Sequence, residues 1–296
     1  MKIVNVIGGL GNQMFQCAFA IAIKETHLSE EVELDISHFH GYDLHNGYEV
    51  SRVFPNYPIT IAEKSELKKL TRYIPNYKWS RLFRRILPTK RTEYLQLYQR
   101  AYIYEPNALQ TEGDGYFEGY WMSPKYFDFC RDKVIHAFSF KPFDTPQNKE
   151  YEKLLSLDSS ITIHIRRGDY VGAKSFKDIC TLAYYHNAIA EAKKYVSNPV
   201  FFVFSNDQPW CKENFKKEFE GAEVHFVTNN KGMESYRDMQ LMTLARCNIV
   251  ANSSFSWWGA YLNMRHDQLV FCPCKWVNHL EHQDHYVETW HKINIV

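Results

Sequence analysis

Two kinds of apolar pattern alternate along the chain. Short runs of β-branched and aromatic residues read as strands, and longer stretches of helical character lie between them. The first run, Ile3 to Ile7, breaks at a glycine turn, Gly8-Gly9-Leu10-Gly11. From about Gln13 the sequence Met14-Phe15-Gln16-Cys17-Ala18-Phe19-Ala20-Ile21-Ala22-Ile23 is apolar and rich in small residues, which suits a buried helix. Glu31 to Asp35 alternates and predicts a second strand, so the chain opens as a Rossmann-like βαβ unit. Further strands are predicted at 160–165, 200–204, 223–227, 248–251 and 269–271, with helices between them, for example over 182–195 and 235–246. Strands alternating with helices imply parallel sheets. Around Asp144-Thr145-Pro146-Gln147-Asn148 the chain turns polar, which places a boundary between one domain over 1–148 and another over 149–296. The expected fold class is α/β, two Rossmann-like domains facing across a cleft. A ligand is expected in that cleft, outside the carboxyl ends of the strands.

Composition narrows the partners. The 296 residues are 45% hydrophobic and 16% aromatic, enough for two cores; aromatic faces also suit sugar C–H patches, though aromatic cores are commoner. A net charge of +1 argues against nucleic acid as a partner. Seven cysteines at irregular spacing, with no CxxC pair, speak against a disulfide framework or a structural zinc site, and fit reduced thiols in a cytoplasm. The N-terminus reads as a strand and not a signal peptide. No run approaches the roughly 18 to 20 apolar residues of a membrane span. Residues 62–104 stand apart as a basic insertion, with eleven Lys or Arg against three Glu, interleaved with Tyr73, Tyr77, Trp79, Phe83, Tyr94 and Tyr98. Two readings apply: a solvated helical face, or a patch that meets anionic lipid or a lipid-linked substrate at the inner face of a membrane.

The strand ends carry the candidate chemistry. Strand 160–165 runs through His164 into Arg166-Arg167-Gly168-Asp169. Adjacent guanidiniums at a strand end need anionic partners, either an internal ion-pair cluster or phosphate oxygens, which their planar forks fit. Strand 200–204 ends in Ser205-Asn206-Asp207, and strand 248–251 ends in Asn252-Ser253-Ser254-Phe255. The latter is a run of N-cap residues opening a helix, either an ordinary cap or an anion site. Convergence of these three polar ends favours a pyrophosphate site. Asp238 lies in the first turn of the preceding helix, where the dipole alone would favour it. Its carboxylate could also accept two N–H bonds from guanine.

Taken together, these motifs resemble the bacterial α-1,2-fucosyltransferases of glycosyltransferase family 11. The matching pieces are Gly8 to Gln16, Glu118-Gly119-Tyr120-Trp121, Lys125-Tyr126-Phe127, His164 to Tyr170, Phe202 to Asp207, Asp238 to Met242 and Asn252 to Gly259, in family order across nearly the whole chain. The resemblance implies a GT-B fold, GDP-β-L-fucose as donor and a terminal galactoside of a surface glycan as acceptor. It further implies that His164 and Asp238 contact guanine, that Arg166 holds the pyrophosphate and that Ser253, Ser254 and Phe255 line the phosphate and base pocket, with Asn252 opening that turn. Gly11, Asn12 and Gln13 would approach the donor from the N-terminal domain. The reaction would invert the anomeric carbon and place negative charge on the leaving GDP. Many sugar transferases hold a divalent metal on an Asp-x-Asp motif; none follows a hydrophobic strand here, so neither metal nor cofactor is expected. Asp169 is the acid nearest the arginines, either a proton acceptor or an orienting partner for them, the second being preferred. The α-1,6 relatives carry a Glu after the arginine motif, whereas Val171-Gly172-Ala173-Lys174-Ser175 has no acid, so the base stays unassigned. His38, His40 and His45 sit with Asp43 in a loop of the first domain, read as a surface loop. The alternatives are a GDP-sugar transferase with another donor or linkage, and a catalytically silent nucleotide-sugar-binding module.

Overall fold

The computed structural model describes residues 1–294, apart from the side chains of Asp169 and Val171. The chain forms two compact units, Met1–Lys141 with His282–Tyr286, and Pro142–Glu281 with the segment from Val287 onward.

The first unit holds strands β1 (Lys2–Asn5), β2 (Val32–Asp35), β3 (Glu93–Leu95) and β4 (Gly115–Glu118) in the order β2-β1-β4-β3, every pair parallel. Strand β1 is buried along its whole length, which is why it reads as a near-continuous apolar run. Its one charge, Lys2, is satisfied by the Thr111 and Gly113 carbonyls at 2.6 and 2.7 Å and by Glu30 at 3.3 Å. The helix Leu10–Thr26 begins earlier than the expected Gln13 because Gly9 is its extended N-cap and Gly8, at φ +98°, makes the reversal from strand to helix. Thirteen of its residues are buried, Phe19 stacking on Trp121 with ring centroids 4.2 Å apart. The basic segment contains helices Lys64–Leu70 and Tyr77–Phe83, the latter capped by Asn76, whose side-chain oxygen accepts the Lys78 and Trp79 N–H groups. It also supplies the edge strand β3, which the sequence pattern did not predict: three half-buried residues are too few for a period to show.

The second unit holds β5 (Ser160–Ile165), β6 (Val200–Ser205), β7 (Glu223–Val227), β8 (Cys247–Ile249), β9 (Leu269–Pro273) and β10 (His291–Ile293), all parallel, in the order β10-β9-β8-β5-β6-β7. One core packs Ile161, Ile163, Phe201 and Val203 beneath the helix Leu182–Ala192; another joins Phe202, Phe204, Leu241 and Met242. The helices Leu182–Ala192 and Tyr236–Met242 end short of the expected 195 and 246. The chain passes between units at Lys141/Pro142, earlier than the expected 148. Phe143 already packs beside Tyr151 and Leu241 in the second unit, and Thr145 caps the helix Pro146–Leu155. The short return of His282–Tyr286 to the first unit is fixed by Asp284, which pairs with Lys125 and accepts the Tyr104 N–H at 2.9 Å. Among the described residues, no helix is long and apolar enough to cross a membrane.

Candidate functional site

The order of the second sheet locates the site. From β5 the chain builds outward through β6 to β7, then returns to the other side of β5 for β8, β9 and β10. The direction of winding therefore reverses between β5 and β8, and the crevice outside their carboxyl ends is where such sheets bind ligands. The turn after β5 supplies Arg166 and Arg167; the turn after β8 supplies Asn252 and Ser253; the turn after β6, the other neighbour of β5, supplies Asn206 and Asp207. The three polar ends thus lie along one edge of adjacent parallel strands.

The two arginines have different aromatic neighbours. The Arg167 guanidinium lies 3.9 Å from the Trp210 ring centre and donates to Asp207 at 3.2 Å, while its backbone N–H donates to the Asn206 side chain at 3.0 Å. The internal cluster that sequence reasoning left open is therefore real for Arg167. Asn206 also explains Gly168, where a Cβ would come within 2.4 Å of its amide nitrogen. The Arg166 guanidinium, half-buried, lies 5.5 Å from the Tyr170 ring centre. Asp169, the expected partner of the arginines, lies outside the described side chains; Asp207 is the carboxylate seen on Arg167.

His164, one residue before the end of β5, is buried, and its ring centre lies 5.8 Å from that of Phe255. Its Nδ1 is buried with no hydrogen-bond partner. Burial, helped by the Arg166 charge, pulls its pKa down to about 3, so the ring is neutral. A neutral imidazole with an unused ring nitrogen suits a nucleobase better than a phosphate. Asp238, in the first turn of the helix Tyr236–Met242, is raised to about 7 by burial, against the lowering effect of a 2.8 Å hydrogen bond from Asn230. Asn230 is in turn held by Asn148, which receives its amide at 3.2 Å and that of Asn229 at 2.8 Å. This asparagine cluster, drawn from two distant segments, gave no signal in the sequence.

The other expected contact residues lie in the turns after β8 and β1. Asn252 is buried and its amide is engaged, donating to the Trp276 carbonyl at 3.0 Å and accepting the Cys180 thiol at 3.3 Å, so its side chain fixes the turn. Ser253 caps the helix Ser254–Tyr261, and Ser254 and Phe255 remain half-buried at its start. That helix packs close against Tyr236–Met242 because Gly259 faces Met242, where a Cβ would sit 2.8 Å away. In the first unit, Gly11 lies buried in the opening turn of its helix. Gln13 is also buried; its amide donates to the Gly8 and Gly47 carbonyls, each at 2.8 Å, and its oxygen accepts the Glu49 N–H at 2.9 Å. Gln13 therefore ties the loop before Glu49 to the glycine turn. Asn12, half-buried, packs over Gly8. Among the described residues one group, His27, Glu30 and Glu112, has ligand atoms close enough for a metal. It sits near the amino end of β1, where Lys2 already faces Glu30.

The comparisons agree with this architecture. The chain matches the model of Glycosyl transferase family 11 over residues 90–294. It is 32% identical over 289 residues to an alpha-1,2-colitosyltransferase of Escherichia coli, covering 93% of this chain and 91% of that one. It is 29% identical over 286 residues to the O-antigen biosynthesis glycosyltransferase WbnK of Escherichia coli, covering 91% and 92%. Galactoside alpha-(1,2)-fucosyltransferase 2 of Mus musculus is 27% identical over 154 residues, 49% of this chain and 44% of that one. In structure, a variant of Arabidopsis thaliana FUT1 in complex with GDP superposes with a TM-score of 0.52 at 13% identity, covering 92% of this chain and 69% of that one, a likeness of fold. The chain therefore belongs to glycosyl transferase family 11, the alpha-1,2-fucosyltransferase family, and is a glycosyltransferase of the GT-B fold.

Proposed function

We propose that the protein transfers L-fucose from GDP-β-L-fucose to the 2-hydroxyl of a terminal galactoside in a surface glycan, inverting the anomeric carbon. The observation that carries this reading is the edge at the β5–β8 reversal, where the turn with Arg166 and the turn that opens the Ser253-capped helix follow adjacent parallel strands. In this proposal Arg166 holds the pyrophosphate, and its positive charge offsets the charge that grows on the leaving GDP as the anomeric bond lengthens. The opening turn of the helix Ser254–Tyr261 adds the favourable end of its dipole. His164 and Asp238 read the guanine edge, with Phe255 against the ring; Asp207 and Trp210 fix Arg167 and so the turn that carries Arg166. Asp169 is assigned to orienting an arginine, and the proton of the acceptor hydroxyl passes late to water, as the new bond forms and GDP leaves. Gly11, Asn12 and Gln13 shape the glycine turn of the first unit.

Family membership and the 27% identity to a galactoside alpha-(1,2)-fucosyltransferase support the donor and acceptor. The 32% identical relative named for colitose favours a second donor reading, with the same fold and linkage. Incubation with GDP-fucose or GDP-colitose and a panel of galactosides, with the linkage read by NMR, tests both. The expected product is an α-1,2 fucoside formed equally well with EDTA, since no Asp-x-Asp motif offers a metal-diphosphate site. Strict Mn²⁺ dependence or another linkage would contradict the proposal, and faster transfer of colitose would select the second donor.

The acceptor is proposed to be lipid-linked, with peripheral membrane contact through the basic segment. Lys78, Arg81, Arg85 and Arg91 are exposed within fourteen residues that carry no acid, while Arg84 pairs with Glu118 and Lys90 donates to the Lys68, Lys69 and Thr71 carbonyls. Trp79 at 56% and Ile86 at 70% exposure stand among them, an apolar and cationic surface of the kind that meets anionic lipid.

A further inference from the structure

The motif Glu118-Gly119-Tyr120-Trp121 begins on the last residue of β4, one of the two strands between which the first sheet reverses, yet the donor reading uses none of it. Its backbone is held in a costly shape. Trp121 is fully buried at φ +52°, a left-handed conformation that bulky residues rarely adopt. The Gln96 side-chain oxygen fixes it by accepting the N–H groups of Tyr120 and Trp121 at 3.2 and 3.0 Å, and Phe19 stacks on the indole. Gly119 is required, because a Cβ there would meet Gln96 at 2.6 Å. This arrangement fixes the backbone at Tyr120.

Tyr120 sits in a group of tyrosines from four segments. Tyr98, which follows β3, lies 5.8 Å from Tyr120 between ring centres. Tyr42, in the loop after β2, lies 5.2 Å from Tyr77 and 6.3 Å from the His45 ring. Tyr77 is carried to this place by its N–H bond to the His40 carbonyl at 3.0 Å. Burial, with smaller contributions from the phenols of Tyr77, Tyr42 and Tyr98, holds the Tyr120 hydroxyl above the usual tyrosine range. An aromatic cluster that served only packing would bury its rings and pair its hydroxyls. Here Tyr98 is 54% exposed. The Tyr77 hydroxyl accepts from Arg81 at 3.2 Å, while the hydroxyls of Tyr42, Tyr98 and Tyr120 have no hydrogen-bond partner among the described residues.

Resting on the transferase reading above, we propose that Tyr42, Tyr77, Tyr98 and Tyr120, with Arg81, form the subsite that receives the pyranose rings of the acceptor glycan. A galactose ring turns the C–H groups of carbons 3, 4 and 5 to one face, which stacks on an exposed phenol ring. Its hydroxyls meet the unpaired phenols, and Arg81 donates to a ring oxygen or hydroxyl. Tyr120 is the residue that the strained turn presents, and Tyr98 is the exposed platform.

The test uses the whole chain and two substitutions, Tyr120→Phe and Tyr98→Ala. Tyr120→Phe removes a hydroxyl without an internal partner and should leave thermal stability unchanged; Tyr98→Ala removes an exposed ring. Acceptor KM for lactose is expected to rise about 3- to 10-fold in each, the range of a lost hydrogen bond or contact, with KM for GDP-fucose unchanged. Saturation-transfer NMR with lactose, run without donor, gives a second readout and should lose signal in both variants. If the wild type transfers fucose and both variants keep their acceptor KM, the subsite is wrong and the transferase reading stands. If no galactoside is fucosylated but lactose still binds in a tyrosine-dependent way, the transferase reading fails and the subsite stands. Lactose contact unaffected by either substitution, or absent altogether, overturns the subsite.

Discussion

At neutral pH about half of Asp238 is protonated in the nucleotide-free protein, since burial raises its pKa to about 7. A carboxylate that accepts two guanine N–H groups must be ionised, so binding below pH 7 expels a proton. Affinity for GDP is then expected to fall by up to about tenfold per pH unit below 7 through this group, and to be flat above it. Calorimetry between pH 5.5 and 8.5 measures this. Asp238→Asn should bind more weakly and titrate only with the phosphate of GDP, and an identical pH profile in the variant would contradict the assignment. The free protein feels the same group in the opposite sense. The raised Asp238 contributes stability that is lost as pH rises from 3.8 towards 7, whereas His164, lowered to about 3, contributes stability that is lost as pH falls below 6.5. The two slopes oppose each other across the acidic range. The sequence suggested both residues as guanine contacts; their environments explain why one can be tuned by pH and the other stays neutral.

Elements with a strong period were legible, and those set by distant partners were not. Strand β5 announced itself through Ser160-Ile161-Thr162-Ile163-His164-Ile165, buried on both faces. Strands β3 and β10 span three residues each at sheet edges, where one neighbour suffices and no apolar run forms. The arginine pair was equally opaque at this level: Asp207 and Trp210, which claim Arg167, lie about forty residues further along the chain. The resemblance marks Asn252 and Gln13 as donor contacts, and the sequence shows nothing of the carbonyls 24 and 34 residues away that their amides meet, Trp276 and Gly47. The close crossing of Tyr236–Met242 and Ser254–Tyr261 places Asp238 and the Ser253 cap on adjacent helices, and Gly259 permits it. Gly259→Ala is expected to destabilise the protein by about 1 to 3 kcal/mol through overpacking against Met242. Urea unfolding checks this, and a variant as stable as the parent would show that the helices can separate freely.

For the molecule as a whole, each unit is a parallel sheet with polar turns at its carboxyl edge, the proposed donor residues in the second unit and the tyrosine group in the first. The basic and apolar surface of residues 77–91 is a third feature, separate from both groups of side chains except at Tyr77 and Arg81. Vesicles containing phosphatidylglycerol should bind the protein at low salt and release it near 0.5 M salt, because the attraction is screened within a few ångströms there. Sedimentation with such vesicles checks this, and no binding at low salt would remove membrane contact from the proposal. The central claim is that Arg166, at the end of β5, holds the diphosphate of a fucosyl donor. Fucose transfer from GDP-fucose to lactose by the wild type and by Arg166→Ala, with circular dichroism of both, tests it most directly. The expected result is an α-1,2 product from the wild type and a loss of about 100-fold or more in kcat/KM from a folded variant. Transfer at the wild-type rate by folded Arg166→Ala would contradict it.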